Sequence, residues 1–254
     1  MRILLTNDDG VEAPGLRALQ QALAPVAEVI VVAPDREQSA SGHSLTLDRP
    51  LRMSEIEEGV YAVDGTPTDC VNLAVLWLLE DRRPDLLVSG INNGLNLGDD
   101  VTYSGTVSAA FEGSLLGIPS VAFSQQLGPQ ASFPRAARYA ARLIEHLVEA
   151  GLDEEMLLNV NLPADAILGS KITKLGHREY QQVVVEKKDP RGRRYFWIAG
   201  RPEWKPESGT DHEALFSGFV SITPLHLDLT DYSRLESDDW VRSLRSGLAT
   251  STVG

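Results

Sequence analysis

What most limits the folds open to this chain is an alternation between Arg2 and Leu162 of short apolar runs, each ending in a polar cluster, with helical patterns. Arg2–Asn7 is an apolar strand that closes in Asn7-Asp8-Asp9-Gly10, a turn sequence. Pro14–Leu23 sets Leu16, Leu19 and Leu23 at helical spacing behind a proline suited to the first turn. Val29–Ala33 is a β-branched run of the kind buried on both faces of a sheet, and a polar loop, Asp35–Ser44, follows it. Leu51–Ile56 and Val60–Val63, split by Glu57-Glu58-Gly59, suggest an antiparallel excursion. The alternation resumes with a helix from Thr66 to about Leu79, capped by Thr66 or Thr68, and a strand at Asp85–Ile91 that runs into Asn92-Asn93-Gly94. A polar loop to Gly105 leads to a helix at Thr106–Leu116, a strand at Ile118–Phe123, a helix at Phe133–Ala150 and a strand at Leu157–Leu162. Such alternation predicts an α/β fold, with a mostly parallel sheet covered by helices on both faces.

The pattern changes after about residue 170. Gln181–Lys188 and Arg193–Ile198 flank the turn signal Asp189-Pro190-Arg191-Gly192, which predicts a long hairpin. It carries Val183-Val184-Val185 on one arm and Tyr195-Phe196-Trp197 on the other. An isolated hairpin is marginal in water, so this apolar surface needs cover from its own domain or from another subunit. A terminal helix is expected at Leu235–Leu248, with Trp240 and Leu244 on one side. The chain therefore divides into a core at 1–170 and a C-terminal region at 171–254.

At 254 residues a chain buries roughly 70–75% of its unfolded surface, enough for a core without staples. The single cysteine, Cys70, excludes an internal disulfide and fits a reducing compartment, so a cytoplasmic protein is expected. No apolar run reaches the ~18 residues of a membrane span. The net charge of −13 lies mainly in residues 1–130, which hold 18 acidic and 7 basic side chains. That balance argues against binding a nucleic-acid polymer, which attracts clustered Lys and Arg, and is compatible with a cation site.

In an open parallel sheet, ligands bind beyond the carboxyl ends of the strands. Asp8 and Asp9 stand at one such end, Asp35–Ser41 at a second, Asn92 and Asn93 at a third. Carboxylates, a hydroxyl and an amide oxygen form an all-oxygen set suited to Mg²⁺ or Mn²⁺, although each cluster alone is an ordinary turn sequence. The residues alone do not choose the hydroxyl among Ser39, Ser41 and Ser44. Tyr103-Ser104-Gly105-Thr106-Val107 brings hydroxyls and a glycine backbone to a helix N-terminus, which suits a phosphate and equally an ordinary N-cap. A dinucleotide fingerprint, a P-loop, a nucleophile elbow and zinc-ligand histidine spacing are all missing. His43, the one histidine in a site loop, reads as a surface residue or as an acid or base. Oxygen ligands beside a phosphate seat point to phosphoryl chemistry.

Thr6-Asn7-Asp8-Asp9-Gly10, Ala33 to Gly42, Gly65 to Cys70, Ser89 to Gly94 and Tyr103 to Val107 together resemble the survival protein SurE family. Gly209-Thr210-Asp211 and Ser221 to Leu225 resemble its C-terminal signature. The resemblance implies a three-layer Rossmann-like core and a metal-dependent phosphatase acting on nucleoside 5′- and 3′-monophosphates, with short polyphosphate as a further substrate. It implies one divalent cation per subunit, Mg²⁺ or Mn²⁺, held by Asp8, Asp9, Ser39 and Asn92, and so selects Ser39. It also implies a homodimer or homotetramer in which the hairpin and terminal helix are exchanged between subunits. On this basis Asp8, Asp9 and Asn96 are the expected catalytic residues, and Asn96, Ser104, Gly105 and Thr106 the expected phosphate-binding ones. The expected alternative is a nucleotide sensor without turnover.

Overall fold

In the computed structural model, residues 1–180, 183–199, 202–236 and 238–249 are described. The elements in chain order are β1 (Arg2–Thr6), α1 (Pro14–Leu23), β2 (Glu28–Pro34), β3 (Met53–Glu57), β4 (Val60–Val63), α2 (Pro67–Leu73), β5 (Leu86–Asn93) and α3 (Gly105–Leu115). Then come β6 (Ser120–Gln125), α4 (Phe133–Ala150), β7 (Leu157–Leu162), β8 (Ser170–Ile172), β9 (Arg178–Tyr180), β10 (Val183–Lys188) and β11 (Arg194–Ala199). The chain closes with β12 (Pro202–Trp204), α5 (Asp211–Phe216), β13 (Val220–Pro224), α6 (Tyr232–Leu235) and α7 (Asp238–Ala249).

The described residues form a nine-stranded sheet in the order β3-β4-β2-β1-β5-β6-β7-β13-β8. The six strands from β4 to β7 are parallel, and β3 runs antiparallel to β4 at one edge. At the other end β13 runs antiparallel to β7 and pairs in parallel with β8, so two strands from beyond residue 169 extend the same sheet. Side chains alternate across each strand: in β1, Ile3 and Leu5 enter one apolar cluster and Leu4 the other. The first cluster takes Leu16, Leu19 and Leu23 of α1 and the alanine-rich face of α4; the second takes Cys70 and Val71 of α2 and Val107, Ala109 and Ala110 of α3. The expected three-layer α/β architecture is therefore present, with a core on each side of the sheet.

Local chemistry sets the helix ends. Thr66 caps α2 in a reciprocal box with Asp69, whose side chain accepts from the Thr66 amide at 2.8 Å, which resolves the choice between Thr66 and Thr68. The helix predicted to run to Leu79 continues past Leu73 as a π-helical turn, Ala74–Leu78, which leaves Leu76 and Trp77 exposed. The loop expected between Asn92 and Gly105 holds a 3₁₀ turn at Gly98–Thr102. α5 and β13 had no periodic signal strong enough to predict them, being six and five residues long. The predicted hairpin forms as β10 and β11, joined through Asp189–Arg193; its expected first residue, Gln181, lies outside the described residues. The terminal helix starts at Asp238, after the separate turn α6, rather than at Leu235. Among the described residues no helix is long and apolar enough to cross a membrane.

Candidate active site

The chain runs from β1 out to β2 and β4 on one side, then returns to place β5 on the other side of β1. This reversal opens a crevice at the carboxyl ends of β1 and β5, where an α/β sheet offers its ligand site. A cavity of about 510 Å³ lies there, and Asp8, Asp9, Ser39, Asn92, Asn96 and Ser104 all line it. Three strand ends far apart in sequence thus converge as expected. Gly105 and Thr106 do not line the cavity; both are buried just behind it.

Asp8 and Asp9 follow β1 through a turn that Asn7 fixes, its Nδ2 donating to the Gly10 carbonyl at 2.9 Å and its Oδ1 accepting from the Gly10 amide at 3.2 Å. The Thr106 hydroxyl donates to Asp8 Oδ1, and the Asn93 amide donates to Asp9 Oδ2 at 3.1 Å. Burial raises the pKa of Asp8, against the hydrogen bond from Thr106 and the backbone amides of Asp8 and Thr106; the charge of Glu37 raises it further. Asp9 is pushed up to about 6 by burial first and then by the charge on Asp8. Two adjacent carboxylates are thus held in a place that disfavours their charge. That is the environment in which a bound cation relieves both desolvation and repulsion.

The neutral oxygens fit the same ion. Asn92 Nδ2 donates to the Gly94 carbonyl at 3.1 Å, which fixes the amide and leaves Oδ1 as an acceptor. The Ser39 hydroxyl donates to Glu37 at 2.7 Å and keeps its lone pairs. Among the described residues no group of three or more His, Cys, Asp or Glu side chains could hold a metal, so a cation at this cavity needs the amide and hydroxyl as well as the carboxylates. This mixed oxygen set suits a hard divalent ion.

The N-terminus of α3 abuts the carboxylates. Ser104 caps it, accepting the Val107 amide at 3.1 Å. A Cβ added to Gly105 would stand 2.8 Å from Asp8 Cβ and 2.9 Å from Asp8 Oδ2, so only glycine lets the helix come this close. With the Thr106 hydroxyl already on Asp8, the positive end of the helix serves that carboxylate directly. On the facing wall, Asn96 Nδ2 donates to Ser124 Oγ at 2.8 Å. The Asn96 backbone is held by Asn161 Oδ1 on its amide at 2.9 Å, and by the Asn159 and Asn161 side-chain amides on its carbonyl at 2.8 and 3.0 Å.

Sequence reasoning missed several participants. Asp100 lines the cavity beside Glu37 and Tyr103, which the sequence placed only within longer motif runs, and Asn159 and Asn161 lie behind it. The asparagines had a usable signal: they occupy alternate positions of a strand that is otherwise Leu and Val, and buried amides need partners. His43 lies away from the cavity, its Nε2 at 2.6 Å from Glu112 Oε2, and pins its loop to α3. It is exposed, as the surface reading expects, and its place outside the cavity lining gives the acid–base reading no support.

The model of the family described as "Survival protein SurE" matches residues 3–182. The chain belongs to the SurE family. A protein of Geobacter metallireducens named 5′-nucleotidase SurE is 54% identical over 240 residues, covering 92% of this chain and 95% of the relative. One of the same name from Syntrophotalea carbinolica is 53% identical over 239 residues, with 93% and 95% covered. The crystal structure of the SurE protein from Aquifex aeolicus superposes with a TM-score of 0.85 at 46% identity, covering 95% of this chain and all of that one. Family membership and fold both agree with the resemblance read from the motifs.

Proposed function

We propose that the protein is a phosphomonoesterase that hydrolyses nucleoside 5′-monophosphates to nucleoside and phosphate, with 3′-nucleotides and short polyphosphate as further substrates, at a site for one Mg²⁺ or Mn²⁺. The observation that carries this reading is the convergence of Asp8, Asp9, Ser39 and Asn92 on one cavity beside Asn96 and Ser104. The names of the SurE-family relatives supply the nucleotide.

Asp8, Asp9, the Asn92 carbonyl oxygen and the Ser39 hydroxyl would hold the ion. When bound, the ion supplies Lewis-acid polarisation of the phosphoryl group and a more acidic water. One of the two aspartates orients the attacking water, and Asn96 and Ser104 bind the phosphoryl oxygens as charge builds in the transition state. Thr106 contributes by holding Asp8, and Gly105 by admitting the helix end against it. In this division of labour residues 1–170 carry the chemistry.

The test is free phosphate from AMP or GMP with Mn²⁺. Release that EDTA abolishes and added Mn²⁺ restores is the expected result. Tight nucleotide binding without release would instead make the protein a nucleotide sensor.

We assign the hairpin and terminal helix to assembly of a homodimer or homotetramer by exchange between subunits. On β10 and β11, Val184, Phe196, Trp197 and Ile198 are 61%, 54%, 62% and 90% exposed, a run of apolar surface that water disfavours. Deleting residues 181–198 is expected to lower the mass measured by light scattering to that of a smaller species; an unchanged oligomer refutes the assignment. Cys70 is buried and free, which fits a cytoplasmic location.

A further inference from the structure

Asp211 is fully buried, yet it lies outside the cavity and had no role in the sequence reading beyond its place in Gly209-Thr210-Asp211. Its Oδ2 accepts the Gly98 amide at 2.8 Å, and its Oδ1 accepts the amides of Gly176 at 2.9 Å and His212 at 2.8 Å. These donors come from three segments: the 3₁₀ turn Gly98–Thr102, the chain leading into β9, and the first turn of α5. The backbone amides of Gly98, Gly176 and His212 offset burial before any charge does, and the nearby His212 ring, whose own pKa burial lowers, adds less. Burying a carboxylate on these terms is costly, and the arrangement persists only where the surrounding structure gains from it.

The gain lies in the segment that Gly98 begins. Residues 95–104 supply Leu95, Asn96, Asp100, Tyr103 and Ser104 to the cavity wall. Gly98, at φ +51°, packs so closely on the C-terminal region that an added Cβ would stand 2.2 Å from the Gly176 carbonyl oxygen. The same segment is tied again by Arg178, which pairs with Asp100 and donates its amide to Asp99 at 3.2 Å. Asn159 and Asn161 pin the segment at Asn96, and Asp211 pins it two residues later.

We propose that Asp211 is a positioning residue for the phosphoryl end of the site: acting through Gly98, it fixes the 95–104 segment so that Asn96 and Ser104 stand where the phosphoryl oxygens bind. The inference rests on the phosphatase reading above. The residues proposed to hold the ion sit on other strand ends and share no hydrogen bond with Asp211, so ion binding and turnover separate in the test.

Asp211→Asn keeps the volume and one acceptor oxygen but turns an NH₂ group against an amide donor. Wild type and variant are compared by Mn²⁺ titration, by steady-state hydrolysis of AMP, and by hydrogen–deuterium exchange. The expected variant binds one Mn²⁺ per chain with wild-type affinity, exchanges faster over residues 95–104, and loses about 10- to 100-fold in kcat with a smaller change in KM. The retained Mn²⁺ stoichiometry excludes an unfolded fraction as the cause. Wild-type exchange over 95–104, an unchanged kcat, or Mn²⁺ binding lost in step with kcat each overturns the proposal. If Asp211→Asn does not fold, Gly98→Ala, which leaves the carboxylate intact, is expected to give the same three results, and wild-type behaviour of that variant is equally fatal. If wild-type protein releases no phosphate, the phosphatase reading fails, while the exchange data still decide whether Asp211 holds the segment.

Discussion

Asp8→Asn is expected to abolish metal-dependent phosphate release while leaving the metal-free protein at least as stable as the wild type. The two effects have one cause. Burial raises the pKa of Asp8, so its charge at neutral pH is disfavoured by the fold, and removing that charge relieves the metal-free state. The asparagine carbonyl still accepts the Thr106 hydroxyl, so packing at the end of α3 survives. What the variant lacks is the carboxylate proposed to hold the ion, replaced in part by an NH₂ group that repels a cation. Loss of several kcal/mol of charge stabilisation corresponds to a fall in kcat/KM of about 10³-fold or more. Thermal melting in EDTA, Mn²⁺ titration and phosphate release measure the three quantities separately. A variant that melts lower and loses activity in proportion would make Asp8 a structural residue; one that keeps full turnover would remove it from the site. In the wild type, protons compete for the same oxygens. With Asp9 pushed up to about 6, Mn²⁺ affinity is expected to fall as pH drops through that value, because more of the carboxylate must then give up a proton to bind.

The fold was legible where burial is simple. Val29–Ala33 and Leu157–Leu162 are covered on both faces, and the limits of α1 and α4 follow from a proline at one end and the end of an apolar stripe at the other. The β5 end was harder, since the register against β6 shifts between Ser89 and Asn92 and carries the strand on to Asn93. The site was legible as far as strand ends predict it: Asp8, Asp9 and Asn92 need only the topology to meet. Ser39 was legible only through the family resemblance, because Ser39, Ser41 and Ser44 are chemically alike and only the loop's path separates them. In the structure Ser39 reaches the cavity, Ser44 turns back to the Ser41 carbonyl, and the Ser41 hydroxyl is buried without a hydrogen-bond partner among the described residues. Thr106 illustrates a second limit. A hydroxyl at a helix N-terminus suits a phosphate or a neighbouring carboxylate equally, and the choice depends on how close β1 brings Asp8, which no local pattern encodes. Asp211 illustrates a third, since its partners Gly98 and Gly176 lie 113 and 35 residues away.

Gly105→Ala is the second substitution with a large expected effect, because it adds one methyl group where the helix end and the Asp8–Asp9 turn touch. In an ordinary exposed helix, Gly→Ala stabilises by up to about 1 kcal/mol. Here the new carbon would stand 2.8 Å from Asp8 Cβ, 2.9 Å from Asp8 Oδ2 and 2.9 Å from Ser41 Oγ. The Ser41 hydroxyl can rotate away, but Asp8 Cβ is bonded to the backbone of a turn that Asn7 holds, and its carboxylate is tied to Thr106. Either α3 retreats and carries Ser104 from the cavity, or Asp8 shifts and spoils the proposed ion site. Overpacking of this kind costs about 1–3 kcal/mol, which outweighs the helical gain, and a displacement near 1 Å lowers turnover by about 10²-fold. Pairing the change with Ser41→Ala identifies the contact that matters. Relief of the Ser41 contact alone leaves both Asp8 contacts in place, so Gly105→Ala/Ser41→Ala is expected to remain as inactive as the single variant. Recovery in the double variant would put the strain in the loop that carries Ser39. A wild-type rate in the single variant would mean that the helix end and Asp8 can separate without loss, and that the close approach of α3 to the carboxylates contributes nothing to turnover.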